Sequence, residues 1–289
     1  RLPGTSAIVT ICPYRLLYWR IFLLKSLWQQ PAVRQALIIF VVMRLFLSGW
    51  AIVALTVNPL PDTPDEFIRP YLNQPILNEG AAGLLLGPWQ RFDTLHYTRI
   101  AAEGYAIEED SVFPPLYPLL IWAVGDLLGG SHTAHMAAAV LISNHALLGL
   151  LILLHKVGSS IVGAEHASRL LVYFALFPTG FFLFAGYSES LFLLLALGSL
   201  WLGANRHFGW AGLLGLLAAL TRLTGWVLVV PLAYQFWRTH LGQGSWKIEP
   251  VSWYPRLIWW GTAVFLPLVG SLLFVGYRAW LGLPGLSRI

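Results

Sequence analysis

The stretch AHMAAAVLISNHALLGLLILL, residues 134–154, runs for twenty-one residues without an Asp, Glu, Lys or Arg. About 20 consecutive apolar residues are what a helix needs to cross the hydrocarbon core of a bilayer. In that core only a helix or a closed barrel satisfies its own backbone polar groups. If neighbouring helices bury somewhat shorter runs, the sequence predicts seven spans: Ala36–Val57, Ala134–Leu154, Leu170–Ala185, Ser188–Gly203, Gly209–Leu220, Gly225–Trp237 and Leu257–Tyr277. Composition agrees, since only 11% of the residues are charged, against about 25% in soluble domains. Mean hydropathy is +0.67. The expected fold class is therefore an all-α polytopic membrane protein, with the lipid bilayer as its first partner.

Charge asymmetry orients the spans. Residues 58–113 hold nine of the thirteen acidic residues and only three basic ones, Arg69, Arg91 and Arg99. Segment 1–35 carries Arg1, Arg15, Arg20, Lys25 and Arg34 with no acid, and its aromatic-rich middle predicts a basic interfacial helix on anionic lipid. The apolar stretch 114–130 is short, contains Pro118 and Asp126, and is expected to lie in the interface or re-enter. If it does not cross, the links bearing Lys156, Arg169, Arg206, Arg238, Lys247 and Arg256 all share the basic side with the N-terminus. The domain organisation is then the N-terminal segment 1–35 and a transmembrane domain 36–289, with 58–133 as an external loop.

Several classes are excluded. A single cysteine, Cys12, rules out an intrachain disulfide and a cysteine-based metal site. The net charge of +5 is scattered between apolar runs as loop anchors, so nucleic acid is not an expected partner. No cleavage signal follows the first segment. A chain that begins without Met and stops soon after an apolar run is expected to be incomplete at one or both ends.

Against this apolar background, RFDTLHYTRIAAEGY (91–105) concentrates ionisable groups. Asp93 and His96 are three apart, on one face of a short helix. A carboxylate beside an imidazole suits general-base chemistry. The same spacing also suits a helix cap by Asp93 with His96 merely interfacial. The preferred topology brings this loop, the turn AGYSES (185–190) with Glu189, and the turn LTRLTG (220–225) with Arg222 to one membrane surface. Ionisable groups at membrane depth cost about 2.5–3.5 kcal/mol or more unless paired or hydrated, which makes them functional-site candidates.

Four stretches resemble the PIG-V type membrane mannosyltransferases: RFDTLHYTRIAAEGY, VFPPLYPLL (112–120), LFPTGFFLFAGYSESLFLLL (176–195) and WAGLLGLLAALTRLTG (210–225). Their order and spacing are similar to the family's over roughly residues 36–240. Phe92 stands where the family usually has Trp, and family members usually continue for further helices beyond the point where this chain stops.

The resemblance implies the GT-C glycosyltransferase architecture and an inverting transfer of mannose from a polyprenyl-phosphate donor to a lipid-linked acceptor. The bacterial plasma membrane is the expected location rather than the endoplasmic reticulum, with the site facing the non-cytoplasmic side. It assigns Asp93 as the base that deprotonates the acceptor hydroxyl. A donor phosphate calls for cations, so Arg222 is the first candidate, with Arg91 and His96 as helpers. Tyr187 and Glu189 are candidates to bind sugar hydroxyls or orient Arg222, and Glu189 is also a candidate second carboxylate. The proline-rich VFPPLYPLL is expected to shape the wall of the site, with Tyr117 and Phe113 as candidate substrate contacts beside their ordinary packing role.

No cofactor is expected. His132 and His135 share a helix face but have no carboxylate at ligand spacing, so no metal site is predicted. No dinucleotide or P-loop pattern occurs, which suits a lipid-linked donor. Three other readings remain: a non-catalytic relative, a lipid transporter or scramblase, and a serine hydrolase using Ser188 with His145.

Overall fold

The structure is a computed structural model and describes residues 28–63, 71–240 and 254–283. It is helical throughout, with no strand among the described residues. In chain order the helices are α1 (Pro31–Val57), α2 (Gly80–Leu85), α3 (Asp93–Glu103), α4 (Leu116–Leu127), α5 (His132–Val162) and α6 (Ala164–Ala175). There follow α7 (Glu189–Ala204), α8 (Phe208–Thr221), α9 (Val229–His240), α10 (Tyr254–Ala263) and α11 (Leu266–Trp280). Of the predicted basic segment 1–35, residues 1–27 lie outside the described residues, and from Pro31 onward it already belongs to α1.

Pro31 opens α1, where its missing N–H leaves no hydrogen bond unmade and its fixed φ suits the first turn. The helix runs for 27 residues, about 40 Å at 1.5 Å per residue. Only Ala32 and Ala36 are buried along it, while Phe46, Trp50 and Val57 stand exposed. An apolar surface on nearly every side suits acyl chains rather than water. Ser131 caps α5 by accepting from the Ala134 N–H at 3.2 Å, and Gly163, at φ +85°, ends it after 31 residues.

Of the seven predicted spans, these two correspond to helices long and apolar enough to cross a bilayer. Apolar helices α4, α7, α8 and α11 have 12 to 16 residues. The predicted span Leu170–Ala185 is instead α6, which ends at Ala175, followed by a 3-10 turn at Gly180–Leu183. Pro178 explains the break: it has no N–H to continue the helix and pushes Phe177 away from helical geometry. Likewise Leu257–Tyr277 is split at Val264–Phe265, with Pro267 in the first turn of α11. Gly225–Trp237 begins as a 3-10 turn, Leu223–Leu228, before α9.

Two helices organise the packing. The long α5 touches α1, α3, α4, α6 and α7, and α8 touches α7, α10 and α11. Around α5, Ala36, Leu147, Leu150, Leu151, Leu171, Leu183 and Phe184 form one core. Tyr97, Ala101, Tyr117, Ile121, Ala138 and Ala139 form a second, between α3, α4 and α5. Within lipid, helices gain by close van der Waals fit rather than by escaping water, which favours small residues at contacts. Gly212 is such a contact, since a Cβ there would run into the Ala263 carbonyl.

Candidate active site

Two buried glutamines anchor the loop that leads into α3. The Gln74 amide donates to the Leu95 carbonyl at 2.6 Å and accepts from the Thr98 hydroxyl at 2.8 Å. Gln90 accepts from the Leu77 N–H at 3.0 Å, donates to the Pro75 carbonyl at 2.7 Å, and lies 2.9 Å from His132 Nε2. The backbone then turns sharply at Phe92, whose φ of +50° and ψ of −127° are uncommon for a residue with a side chain. That turn presents Asp93 as the first residue of α3, where the positive end of the helix dipole favours an anion.

Asp93 opens onto a cavity of about 320 Å³ lined by Phe92, Asp93, Phe182, Tyr187 and Glu189. No hydrogen bond to its carboxylate occurs among the described residues, so Asp93 does not spend its oxygens on capping the helix. The turn carrying Tyr187 and Glu189 presses directly on the start of α3. A Cβ on Gly186 would lie 2.9 Å from Thr94 Cγ2 and 3.1 Å from Ala139 Cβ, so only glycine permits this approach.

Tyr187 stacks on Phe182 at 5.2 Å, and its hydroxyl lies 3.4 Å from the Arg91 carbonyl. Burial, with the Asp93 and Glu189 charges, pushes its phenol well above the usual range, so it is a hydrogen-bond donor at neutral pH. Glu189 begins α7 and accepts a hydrogen bond at 2.5 Å from Arg222, which sits in the extended step between α8 and the following 3-10 turn. The other Glu189 oxygen, Oε2, is buried and has no partner among the described residues. An unsatisfied buried acceptor at the wall of a cavity is a place where a ligand hydroxyl fits.

The structure thus brings Asp93, Tyr187, Glu189 and Arg222 together. Arg91 sits at the edge of this group, with its guanidinium 4.6 Å above the Tyr71 ring. It forms no ion pair among the described residues.

Two candidates lie elsewhere. His96 does not pair with Asp93. Its Nδ1–H donates to Asp110 at 2.7 Å and its ring stacks on Phe113 at 4.8 Å. A 3-10 turn, Glu108–Val112, carries Asp110 to this face of α3, where Arg99 also grips it through Nε at 2.8 Å and a terminal nitrogen at 2.6 Å. Burial alone would push the Asp110 carboxyl up, but the His96 and Arg99 hydrogen bonds outweigh it and hold it below the usual range. An ionised Asp110 fixes the His96 tautomer, with Nδ1 protonated and Nε2 left to act.

Tyr117, expected as a substrate contact, is fully buried. Its hydroxyl lies 2.9 Å from the Ala139 carbonyl and 2.6 Å from Ser143 Oγ, and Ser143 donates to the Tyr187 carbonyl at 2.6 Å. The aromatic ring fills the space between α3, α4 and α5, so Tyr117 supports the Tyr187 backbone from behind instead of touching the cavity. The hydrolase reading has no geometry: Ser188 is buried against the Tyr97 hydroxyl at 2.7 Å, while His145 is exposed and bonded to Leu141. Gln74, Gln90, Arg99 and Asp110 were not singled out as site residues by sequence. All four lie in the polar loop 58–113, where nine acidic residues share the stretch and composition does not distinguish them.

This helical membrane protein lines one small cavity with two carboxylates and a phenol, and pairs a guanidinium with one of those carboxylates. Residues 33–237 match the family model described as Mannosyltransferase (PIG-V), a stretch that contains every residue of the cavity. The chain belongs to this mannosyltransferase family.

Among curated relatives it is similar to GPI alpha-1,6-mannosyltransferase 2 of Mus musculus, 36% identical over 154 residues, which is 50% of this chain and 30% of the relative. The protein of the same name from Cricetulus griseus is 35% identical over 176 residues, covering 57% of this chain and 35% of the relative. The Homo sapiens protein is 29% identical over 183 residues, covering 60% and 37%. The matched regions thus span about a third of the length of these relatives. No solved structure matches the chain.

Proposed function

We propose that the protein is an inverting mannosyltransferase of GT-C architecture. It moves mannose from a polyprenyl-phosphate donor to a hydroxyl of a lipid-linked glycan or glycolipid, on the non-cytoplasmic side of a bacterial plasma membrane. The observation that carries this reading is the cavity shared by Asp93 and Glu189, with Arg222 hydrogen-bonded to Glu189.

Asp93 takes the proton from the acceptor hydroxyl, its oxygens being uncommitted to other partners among the described residues. The hydroxyl oxygen forms a bond to the anomeric carbon from one face while the bond from that carbon to the phosphate oxygen breaks on the other. The polyprenyl phosphate leaves with the electron pair. Arg222 and Arg91 are the cations available to balance the phosphate charge, which grows on the leaving oxygen. Glu189 orients Arg222 with one oxygen and accepts a sugar hydroxyl with the other, and the Tyr187 hydroxyl donates to the sugar.

The test supplies membranes containing the full-length protein with polyprenyl-phosphate mannose and a panel of lipid-linked acceptors. Loss of a general base costs about 10²–10⁴-fold in rate, so Asp93→Asn should lower transfer by that much. Equal transfer by wild type and variant removes Asp93 from the chemistry. Movement of donor across the bilayer without transfer points to a scramblase instead.

A further inference from the structure

Arg44 is the middle residue of α1, thirteen from Pro31 and thirteen from Val57, and beyond Arg34 it is the only ionisable residue of that helix. A charge halfway along a span is costly. Where one occurs, it turns to the bundle interior, finds partners there and marks a functional site by default. Arg44 turns inward: it is half-buried, while Leu45, Phe46 and Trp50 stand exposed beside it. No carboxylate pairs with it among the described residues, and its partners are a carbonyl and a ring.

Arg44 Nη1 donates to the Phe184 carbonyl at 2.9 Å, and the guanidinium lies 4.9 Å from the centre of the Trp89 ring. These two partners belong to the two stretches that wall the Asp93–Glu189 cavity. Trp89 closes the 3-10 turn Gly87–Trp89, four residues before Asp93. Phe184 follows the turn Gly180–Leu183, three residues before Tyr187 and five before Glu189. The grip on Phe184 is shared: Asn144 on α5 donates to the same carbonyl at 3.0 Å, and Phe40, about one turn before Arg44 on α1, stacks on the Phe184 ring at 5.9 Å. A planar guanidinium donates through its edge while a ring covers its face, a combination that a compact ammonium does not offer.

From this juxtaposition we infer that Arg44 is a positioning residue of the transfer site: by tying the Trp89 ring to the Phe184 carbonyl it sets the gap between Asp93 and Glu189. The inference rests on the proposed function and adds a residue that touches no substrate, since Arg44 does not line the cavity. Stability alone gives no reason for a cation here, because an apolar side chain would enter lipid without the cost that an arginine carries. Transfer does give one. The reacting atoms must be held about 3–3.5 Å apart, and Asp93 and Glu189 reach the substrates from separate stretches, so a stretch freed to move loses that approach.

The test replaces Arg44 in the full-length protein in nanodiscs and measures thermal stability, kcat and KM on the same preparation. Arg44→Met, apolar and unbranched, should lower kcat by about 10²-fold, the scale of a catalytic group displaced by about 1 Å. KM for donor and acceptor should move far less, because the residues that touch them remain. Arg44→Lys should recover part of the lost kcat, since it keeps a charged donor for the Phe184 carbonyl and loses only the stacked plane. Asn144→Ala, which removes the second donor to that carbonyl, should lower kcat in the same direction. The gap is also read without activity, by pulsed electron paramagnetic resonance between spin labels at the exposed Leu85 and Phe181, with Cys12→Ser as background. Their separation should shift or broaden in Arg44→Met and stay as in wild type in Asp93→Asn.

An activity loss that only follows the loss of folded protein, a KM that rises as far as kcat falls, or a distance distribution identical in wild type and Arg44→Met overturns the inference. If wild type itself transfers no mannose, the proposed function has failed, and the distance measurement still decides whether Arg44 sets the gap.

Discussion

The Arg222 guanidinium donates to Glu189 at 2.5 Å, joining two helix ends that are 33 residues apart in the chain. Both side chains are partly exposed, at 38% for Arg222 and 28% for Glu189, so the pair is not sealed in the core, and Glu189 lines the cavity. An exposed ion pair contributes little to stability, and in the proposed reaction its worth lies in holding a cation beside the sugar. Removing Arg222 as Ala should lower kcat/KM for donor by about 10²-fold, the scale of one lost donor to a developing anion. Glu189→Gln should cost less, and the double variant should show a coupling of about 0.5–3 kcal/mol in a double-mutant cycle. Strict additivity in that cycle would mean that the two residues act separately.

Gly186→Ala tests the approach of the Tyr187 turn to α3. The new Cβ must displace Thr94, the residue after Asp93, or Ala139 on α5. Overpacking of this kind costs about 1–3 kcal/mol. The loss of activity should be larger than that figure suggests, because a catalytic group moved by about 1 Å can cost 10²-fold in rate. Thermal denaturation and kcat measured on the same preparation separate the two effects.

For Tyr117→Phe the opposite pattern is expected. The ring remains and fills the core, but the hydroxyl that meets the Ala139 carbonyl and Ser143 is lost. Leaving a buried polar partner unsatisfied costs about 1–3 kcal/mol of stability. KM for the sugar donor should stay within the error of wild type. A KM effect without a stability effect would return Tyr117 to the substrate site.

Asp110 gives a prediction in pH. Its native carboxyl is held below the unfolded reference of about 3.9. A depressed native pKa stabilises the fold above the unfolded value, so this contribution is complete above about pH 4 and disappears as pH falls through the native value. The acid limb of a thermal-stability profile in detergent should therefore flatten in Asp110→Asn. At neutral pH the same variant leaves Arg99, 8% exposed, without its carboxylate, a loss of about 3–5 kcal/mol for a broken buried pair.

Sequence and structure agree best where one chemical requirement dominates. Apolar runs predict helices at 36–57 and 134–154, and helices form there as Pro31–Val57 and His132–Val162. The turns AGYSES and LTRLTG, placed at one surface from topology, meet through Glu189 and Arg222. Sequence erred where a side chain had a choice of partners. Asp93 and His96 share a helix face by spacing, yet spacing says nothing of Asp110, which arrives fourteen residues after His96 on a separate turn and takes the imidazole. Tyr117 belongs to a motif next to the site, but the motif does not say which way the ring points.

By itself, the sequence determined a helical, lipid-facing chain, a loop rich in acid, and the carboxylates and arginines that could do chemistry. Those properties follow from local composition and from the length of apolar runs, which need no tertiary partner to be read. Only the folded chain decided that Asp93 opens onto the cavity with Glu189, that His96 answers to Asp110, and that the Tyr117 ring fills the space between α3, α4 and α5. Each of these depends on contacts between residues far apart in the chain, and such contacts are set by helix packing, to which no short stretch of sequence has access.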